Sequence, residues 1–213
     1  MNNVLILALG VGVAFAALVC LALFHKQIFL YLRTWLALLY QKRGWLKQAL
    51  PLRQKNLVYM EKKYGKNHST LAPHLNALAE IYQRQGDFAK ALPLCEKGLA
   101  ILERKYGESH VSLSDSLTRM AEIYKAGEQY DKSLLCYKRV FEITENALGK
   151  FHPDVAIMLD TMAGVYHAAE QHDKALPLYR RALDIAEKTL GKSNDVTLGI
   201  AEHYTLCLER MNK

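Results

Sequence analysis

Gly65, Gly107, Gly149 and Gly191 stand 42 residues apart, and each sits in a similar phrase: YGKNHST, YGESHVS, LGKFHPD and LGKSNDV. A fixed period of this length describes a row of equivalent units, each needing a neighbour to cover its apolar face. It constrains the fold more tightly than composition does, because it sets the size of the unit and the way units are added.

Each block between glycines holds two helical patterns. In the first, Leu75, Leu78, Ala79 and Tyr82 return as Leu117, Met120, Ala121 and Tyr124, then as Leu159, Met162, Ala163 and Tyr166. Steps of three and four residues draw one apolar stripe along a helix. A turn follows (QGDFAK, GEQYDK, EQHDK), and a second helix opens with Ala91, Ser133 or Ala175 and runs to the repeated glycine. Glycine just past a helix end is expected to adopt the left-handed conformation that closes it. Pro153 suits the first turn of the next helix, and Asp154 its positive end. The phrase is therefore a helix stop, a loop and a helix start. His68, His110 and His152 recur because this joint recurs; equivalent residues one repeat apart cannot share a metal whose bonds are about 2 Å long.

The period extends backward over 26–64 as a degenerate, basic repeat, in which Tyr31, Trp35 and Tyr40 are expected to pack against the first full repeat, the membrane interface or another subunit. Forward, 193–213 matches a first helix alone and reads as a cap. The expected organisation is an anchor at 1–25, this degenerate repeat, three full repeats over 65–192, and the cap.

HEAT and armadillo units share this range of period, but the residues Leu-x-x-Leu/Met-Ala-x-x-Tyr followed by Ala-Leu resemble the tetratricopeptide repeat with a lengthened second helix. More narrowly, LGKFHPDVAIMLDTMAGVYHAAEQHDKALPLYRRALDIAEKTLGK is similar to the 42-residue repeats of kinesin light chains and their bacterial relatives. The resemblance implies an all-α, right-handed superhelical α-solenoid whose first helices line a concave groove. That family usually has Leu-Asn-Asn-Leu-Ala in the first helix, its amides holding a peptide backbone. Here the segments read LNALA, LTRMA and LDTMA, so only Asn76 keeps the amide at the first of the two positions. No segment resembles a motor-binding coiled coil.

From Asn3 to Phe24 the chain has 22 residues without a charge. As a helix this would span about 33 Å, enough to cross a bilayer. It lacks the basic start and the cleavage site of a signal peptide. Residues 1–63 carry nine Lys/Arg and one acid, and the rest carries 19 bases and 20 acids, so the net +7 of the chain is gathered beside this segment. Flanking bases stay on the cytoplasmic side, which predicts a single span with the repeats in the cytoplasm, at a bacterial inner or mitochondrial outer membrane. Lys26, Arg33, Lys42, Arg43 and Lys47 are the expected contacts with anionic lipid headgroups. Charge confined to this collar argues against nucleic acid as a partner.

No catalytic, metal or cofactor motif emerges. GKS at Gly191 lacks the earlier glycine of a phosphate loop, and Glu202-His203 lacks the second histidine of a zinc-protease helix. Cys20, Cys95, Cys136 and Cys207 lie far apart in apolar patterns, as buried thiols do. The candidate site is the predicted groove: Asn76, Glu80, Gln83, Thr118, Glu122, Lys125, Asp160, His167 and Glu202, continued by Gly164, Leu206 and Glu209. Five acids stand there against one lysine, a pattern suited to a basic protein segment. The expected function is a non-enzymatic, membrane-anchored scaffold that recruits or assembles a protein partner. The alternative is an accessory subunit of a membrane complex held through its span and juxtamembrane helices.

Overall fold

The computed structural model describes residues 28–211. The predicted span at 1–25 and Lys26 lie outside them. Among the described residues every regular element is helical, and no helix is long and apolar enough to cross a membrane. The chain divides into two compact units, Met1–Lys63 and Tyr64–Lys213.

In the first unit, α1 (28–42) and α2 (Leu46–Tyr64) are joined by a turn in which Gly44 takes φ 76°. Ala37 and Ala49 are fully buried, and polar groups hold the pair together. The Nε and Nη2 of Arg53 both donate to Gln41 Oε1, at 2.9 and 2.6 Å. Asn56 Nδ2 donates to Thr34 Oγ1 at 2.9 Å. Arg53, which charge counting assigns to the basic collar, is thus buried within the unit. Tyr31 and Trp35 are 72% and 63% exposed, beside exposed Phe29, Leu32 and Leu38. Tyr40 meets Trp45, with ring centres 5.7 Å apart.

The second unit stacks the pairs α3 (Ala72–Arg84) with α4 (Phe88–Tyr106), α5 (Ser114–Ala126) with α6 (Tyr130–Leu148), and α7 (Pro153–Ala168) with α8 (His172–Leu190), then α9 (Asp195–Met211). Each helix packs on its partner and on the next element in the chain, and first helices also touch directly, α3 with α5 and α7 with α9. This nearest-neighbour contact is what a solenoid requires. The predicted stripe is the core: Leu75, Ala79, Leu117, Ala121, Leu159 and Ala163 are at most 2% exposed. Tyr82, Tyr124 and Tyr166 are half-buried, and Lys90, Lys132 and Lys174 lie over their rings at 5.6, 5.5 and 5.9 Å. Ala91, Ser133 and Ala175 are small because the two helices of a pair meet there. All three are fully buried, and Ser133 Oγ donates to Ala121 O at 2.8 Å.

The joints show what the recurring histidine does. His68, His110 and His152 stand in extended backbone at the N-cap. Their Nδ1 atoms accept from the N–H of Thr70, Ser112 and Asp154, at 3.3, 3.1 and 3.2 Å. Each satisfies a backbone donor that a starting helix leaves unpaired. Where the fourth phrase has Asn194, its Oδ1 does the same for Val196 N at 2.9 Å. The glycine departs from expectation. Gly107, Gly149 and Gly191 have φ 85–88° with ψ 157–173°, so the helix opens directly into extended chain instead of closing in a left-handed turn. This region is essentially restricted to glycine. At the intra-repeat turn, Gly44 and Gly86 (φ 76° and 77°) are matched by Glu128 and Glu170 (φ 58° and 59°), so the backbone keeps its shape where the glycine is lost.

On the second-helix side a salt bridge repeats with the period. Arg139 Nη1 lies 2.6 Å from Glu103 Oε1, and Arg181 Nη2 lies 2.7 Å from Glu145 Oε1, linking α4 to α6 and α6 to α8.

Candidate functional site

The first helices α3, α5, α7 and α9 bring most of the predicted groove residues onto one face of the second unit, with two changes of role. Asn76 is turned into the stack and is 9% exposed. Its Nδ2 donates to Ser116 Oγ at 3.0 Å, and that hydroxyl donates back to Asn76 Oδ1 at 3.2 Å. Gly98 lies beside the pair: a Cβ there would stand at ordinary contact distance, 3.4 Å from Asn76 Oδ1 and 3.5 Å from Ser116 Oγ. Both polar atoms of Asn76 are therefore engaged within the repeat stack.

The second change concerns charge. Arg119, one position along α5 from Thr118, reaches Glu122 Oε2 at 3.0 Å through Nη1 and Glu80 Oε2 at 3.5 Å through Nη2. His203 Nδ1 lies 2.9 Å from Asp160 Oδ1, joining α9 to α7. Neither Arg119 nor His203 belongs to the residues singled out by helical spacing, and both occupy the same register, 84 residues apart, with Thr161 between them. Three of the five predicted acids thus have basic partners. The face is a mixed, partly ordered row of donors and acceptors rather than an acidic strip.

The remaining predicted residues divide by exposure. Thr118 and Gln83 are half-buried, while Lys125, Glu202, Leu206 and Glu209 are exposed. Gln83 Oε1 and Arg119 Nε are buried without a hydrogen-bond partner among the described residues. A Cβ at Gly164 would stand 3.7 Å from the Tyr179 hydroxyl, an ordinary contact distance. Behind the face, burial pushes the Cys95 thiol and the Tyr137 and Tyr179 hydroxyls up to about 12, so all three stay neutral at ordinary pH. His167 is half-buried; desolvation, and then electrostatic interaction with His172, hold its imidazole below the ordinary range.

Of the predicted lipid contacts in the first unit, Lys42, Arg43 and Lys47 are exposed, Arg43 lies over the Trp45 ring at 5.3 Å, and Arg33 is half-buried. Farther along, Phe141, Leu159, Met162, Tyr166 and Leu178 help line an open, mainly apolar cleft of about 580 Å³ among α6, α7 and α8. Sequence spacing does not reveal this cleft, because its walls come from three helices.

The tetratricopeptide repeat profile matches residues 30–104, 70–146 and 112–188. Among solved structures, a Podosopora anserina protein assigned as a kinesin light chain with nearly identical TPR-like repeats is similar at 23% identity. The match covers 86% of this chain and 87% of that one, with a TM-score of 0.76. BtubC (BKLC) from P. vanneervenii is similar at 21% identity over 84% and 72% of the two chains, with a TM-score of 0.73. The apo form of RapI is similar at 15% identity over 86% and 64%, with a TM-score of 0.70. These likenesses establish an all-α solenoid of helix repeats. No curated protein sequence matches the chain.

Proposed function

Because this chain belongs to the tetratricopeptide repeat family, a scaffold suited to protein–protein interaction, we propose that it is a membrane-anchored, non-catalytic adaptor that holds a partner polypeptide against its first-helix face. The observation that carries the reading is the row Gln83, Glu80, Arg119, Glu122, Asp160 and His203. Its members come from four successive first helices, and two of its buried polar atoms, Gln83 Oε1 and Arg119 Nε, have no partner among the described residues. A partner segment with basic and hydrogen-bonding side chains would satisfy those atoms and compete for the carboxylates, which fixes its register. The uncharged run at 3–24 supplies the anchor. The exposed bases Lys42, Arg43 and Lys47, together with Lys26 and Arg33, supply lipid headgroup contacts, with the repeats on the cytoplasmic side.

The full-length protein carrying Glu80→Lys and Asp160→Lys, purified from its native membrane, is expected to recover the partner at least tenfold less than the unaltered chain by quantitative mass spectrometry. That loss corresponds to about 1.4 kcal/mol. Equal recovery would reject the face as the site.

A second reading, an accessory subunit of a membrane complex, is favoured by the exposed apolar residues Phe29, Leu32, Trp35 and Leu38 on α1. A patch of this kind beside a predicted span suits a protein or lipid neighbour. Phe29→Ser with Trp35→Ser in the full chain separates the readings: co-purification is lost if α1 makes the main contact and kept if the repeat face does.

A further inference from the structure

A second kind of joint forms where the turn inside each repeat meets the next first helix, and it brings three positions together: the last turn of a first helix, the start of the second helix that follows, and the next first helix. At the first joint these are Gln83, Phe88 and Ile123, and at the second Lys125, Tyr130 and Val165. At the third they are His167, His172 and Cys207, so all three positions change together to side chains that bind transition metals. Packing alone does not call for this change, since an aromatic and a branched aliphatic residue fill the last two positions at both other joints.

The geometry brings the three side chains to one point. One ligand atom from each lies within 4.8 Å of the others, and Cys207 Sγ is 3.9 Å from His172 Nδ1. The imidazole rings of His167 and His172 are 4.8 Å apart, tilted by 48°. Cys207 is fully buried, and His167 Nδ1 is buried with no hydrogen-bond partner. A buried polar atom left unpaired in a native fold calls for a missing partner. An inward movement of about 1 Å would bring the ligands to the distances of tetrahedral zinc, about 2.0–2.1 Å for nitrogen and 2.3 Å for sulfur. Two imidazoles with a thiolate suit zinc and exclude calcium and magnesium, which take oxygen.

We propose that the third joint is a zinc site formed by His167, His172 and Cys207, with water in the fourth position, that staples α9 to the last repeat. On binding, the Cys207 thiol gives its proton to solvent and the two neutral imidazoles each donate a lone pair, leaving a complex of net charge +1. The three ligands come from α7, α8 and α9, so the metal ties the terminal helix to both members of the preceding pair.

The test is a titration of metal-free, full-length protein with Co²⁺ and then Zn²⁺. One equivalent of cobalt per chain should give a thiolate-to-cobalt charge-transfer band and four-coordinate visible bands, which zinc then abolishes, and zinc should raise Tm. His167→Gln, His172→Tyr and Cys207→Val each install a residue that another joint already uses, which favours retention of the fold; circular dichroism checks it, with Cys207→Ser as a second thiol-free variant. The histidine variants should weaken zinc binding by roughly 10–100-fold or more, and the cysteine variants should lose the charge-transfer band. Absence of the band in the unaltered protein would overturn the proposal. So would its persistence without Cys207, which would place the thiolate at Cys20, Cys95 or Cys136.

Discussion

The two sides of the repeat stack use polar side-chain pairs differently. On the second-helix side Glu103–Arg139 and Glu145–Arg181 occupy equivalent positions in successive repeats, whereas on the first-helix side Glu80–Arg119–Glu122 and Asp160–His203 do not repeat, and Thr161 interrupts the register between them. Whatever every repeat needs is written once per period, so a recurring contact reports on stacking. A contact made at one repeat alone answers a need of that place. By this measure the second-helix side, the apolar stripe and the glycine joints belong to assembly of the solenoid, and the first-helix face with the corner formed by His167, His172 and Cys207 carries what is individual to this chain.

Substitutions can sharpen or break that division. Among periodic features the largest effect belongs to the stripe: Leu117→Ala, at a site 2% exposed, should cost about 2–5 kcal/mol in chemical denaturation. Leu75→Ala and Leu159→Ala should fall in the same range if position within the period governs the cost. Next comes the joint. Gly149→Ala forces a side chain into a backbone region that excludes it and should lose about 1–3 kcal/mol, with the same loss at Gly107. A neutral result at either would show that the joints are not equivalent.

Smaller effects test places where the residue changes while the backbone does not. Glu128→Gly removes a left-handed non-glycine residue from a turn that Gly86 makes without strain, and should gain about 0.5–1 kcal/mol after the entropy of the unfolded glycine is counted. The gain would appear as a shift of the denaturation midpoint at unchanged slope. Arg181→Met should cost the least, at most about 1 kcal/mol, because its ion pair with Glu145 is half-exposed, and the difference should shrink in high salt. A cost as large as that of Leu117→Ala would mean that the outer ion pairs do more than decorate the stack.

The same distinction explains what the sequence disclosed. The spacing of four glycines reveals the repeat, and the three-and-four rhythm of Leu117, Met120 and Ala121 reveals the buried stripe, because both are properties of a single helix or joint. A helical wheel does not single out Arg119 and His203, because it ranks residues by the face of their own helix, while Glu80 and Asp160 lie on the neighbouring one. Asn76 keeps the one amide retained from the family pattern, but its pairing with Ser116, 40 positions away, is invisible along a single helix. Read across the repeats rather than along the chain, the alignment of Lys125 with His167, Tyr130 with His172 and Val165 with Cys207 was a signal already present, but only contact geometry shows that the three positions meet.

The near-identical backbone at Gly107, Gly149 and Gly191 makes the molecule a set of interchangeable cassettes. A chain that leaves one helix at Tyr106 and resumes at Gly149 would meet the same exit direction it would have taken at Gly107, so a whole repeat could be excised or duplicated without a splint at the seam. Length then becomes an adjustable quantity, changed in whole steps, while the terminal helix and whatever it carries ride unchanged at the end of the ladder.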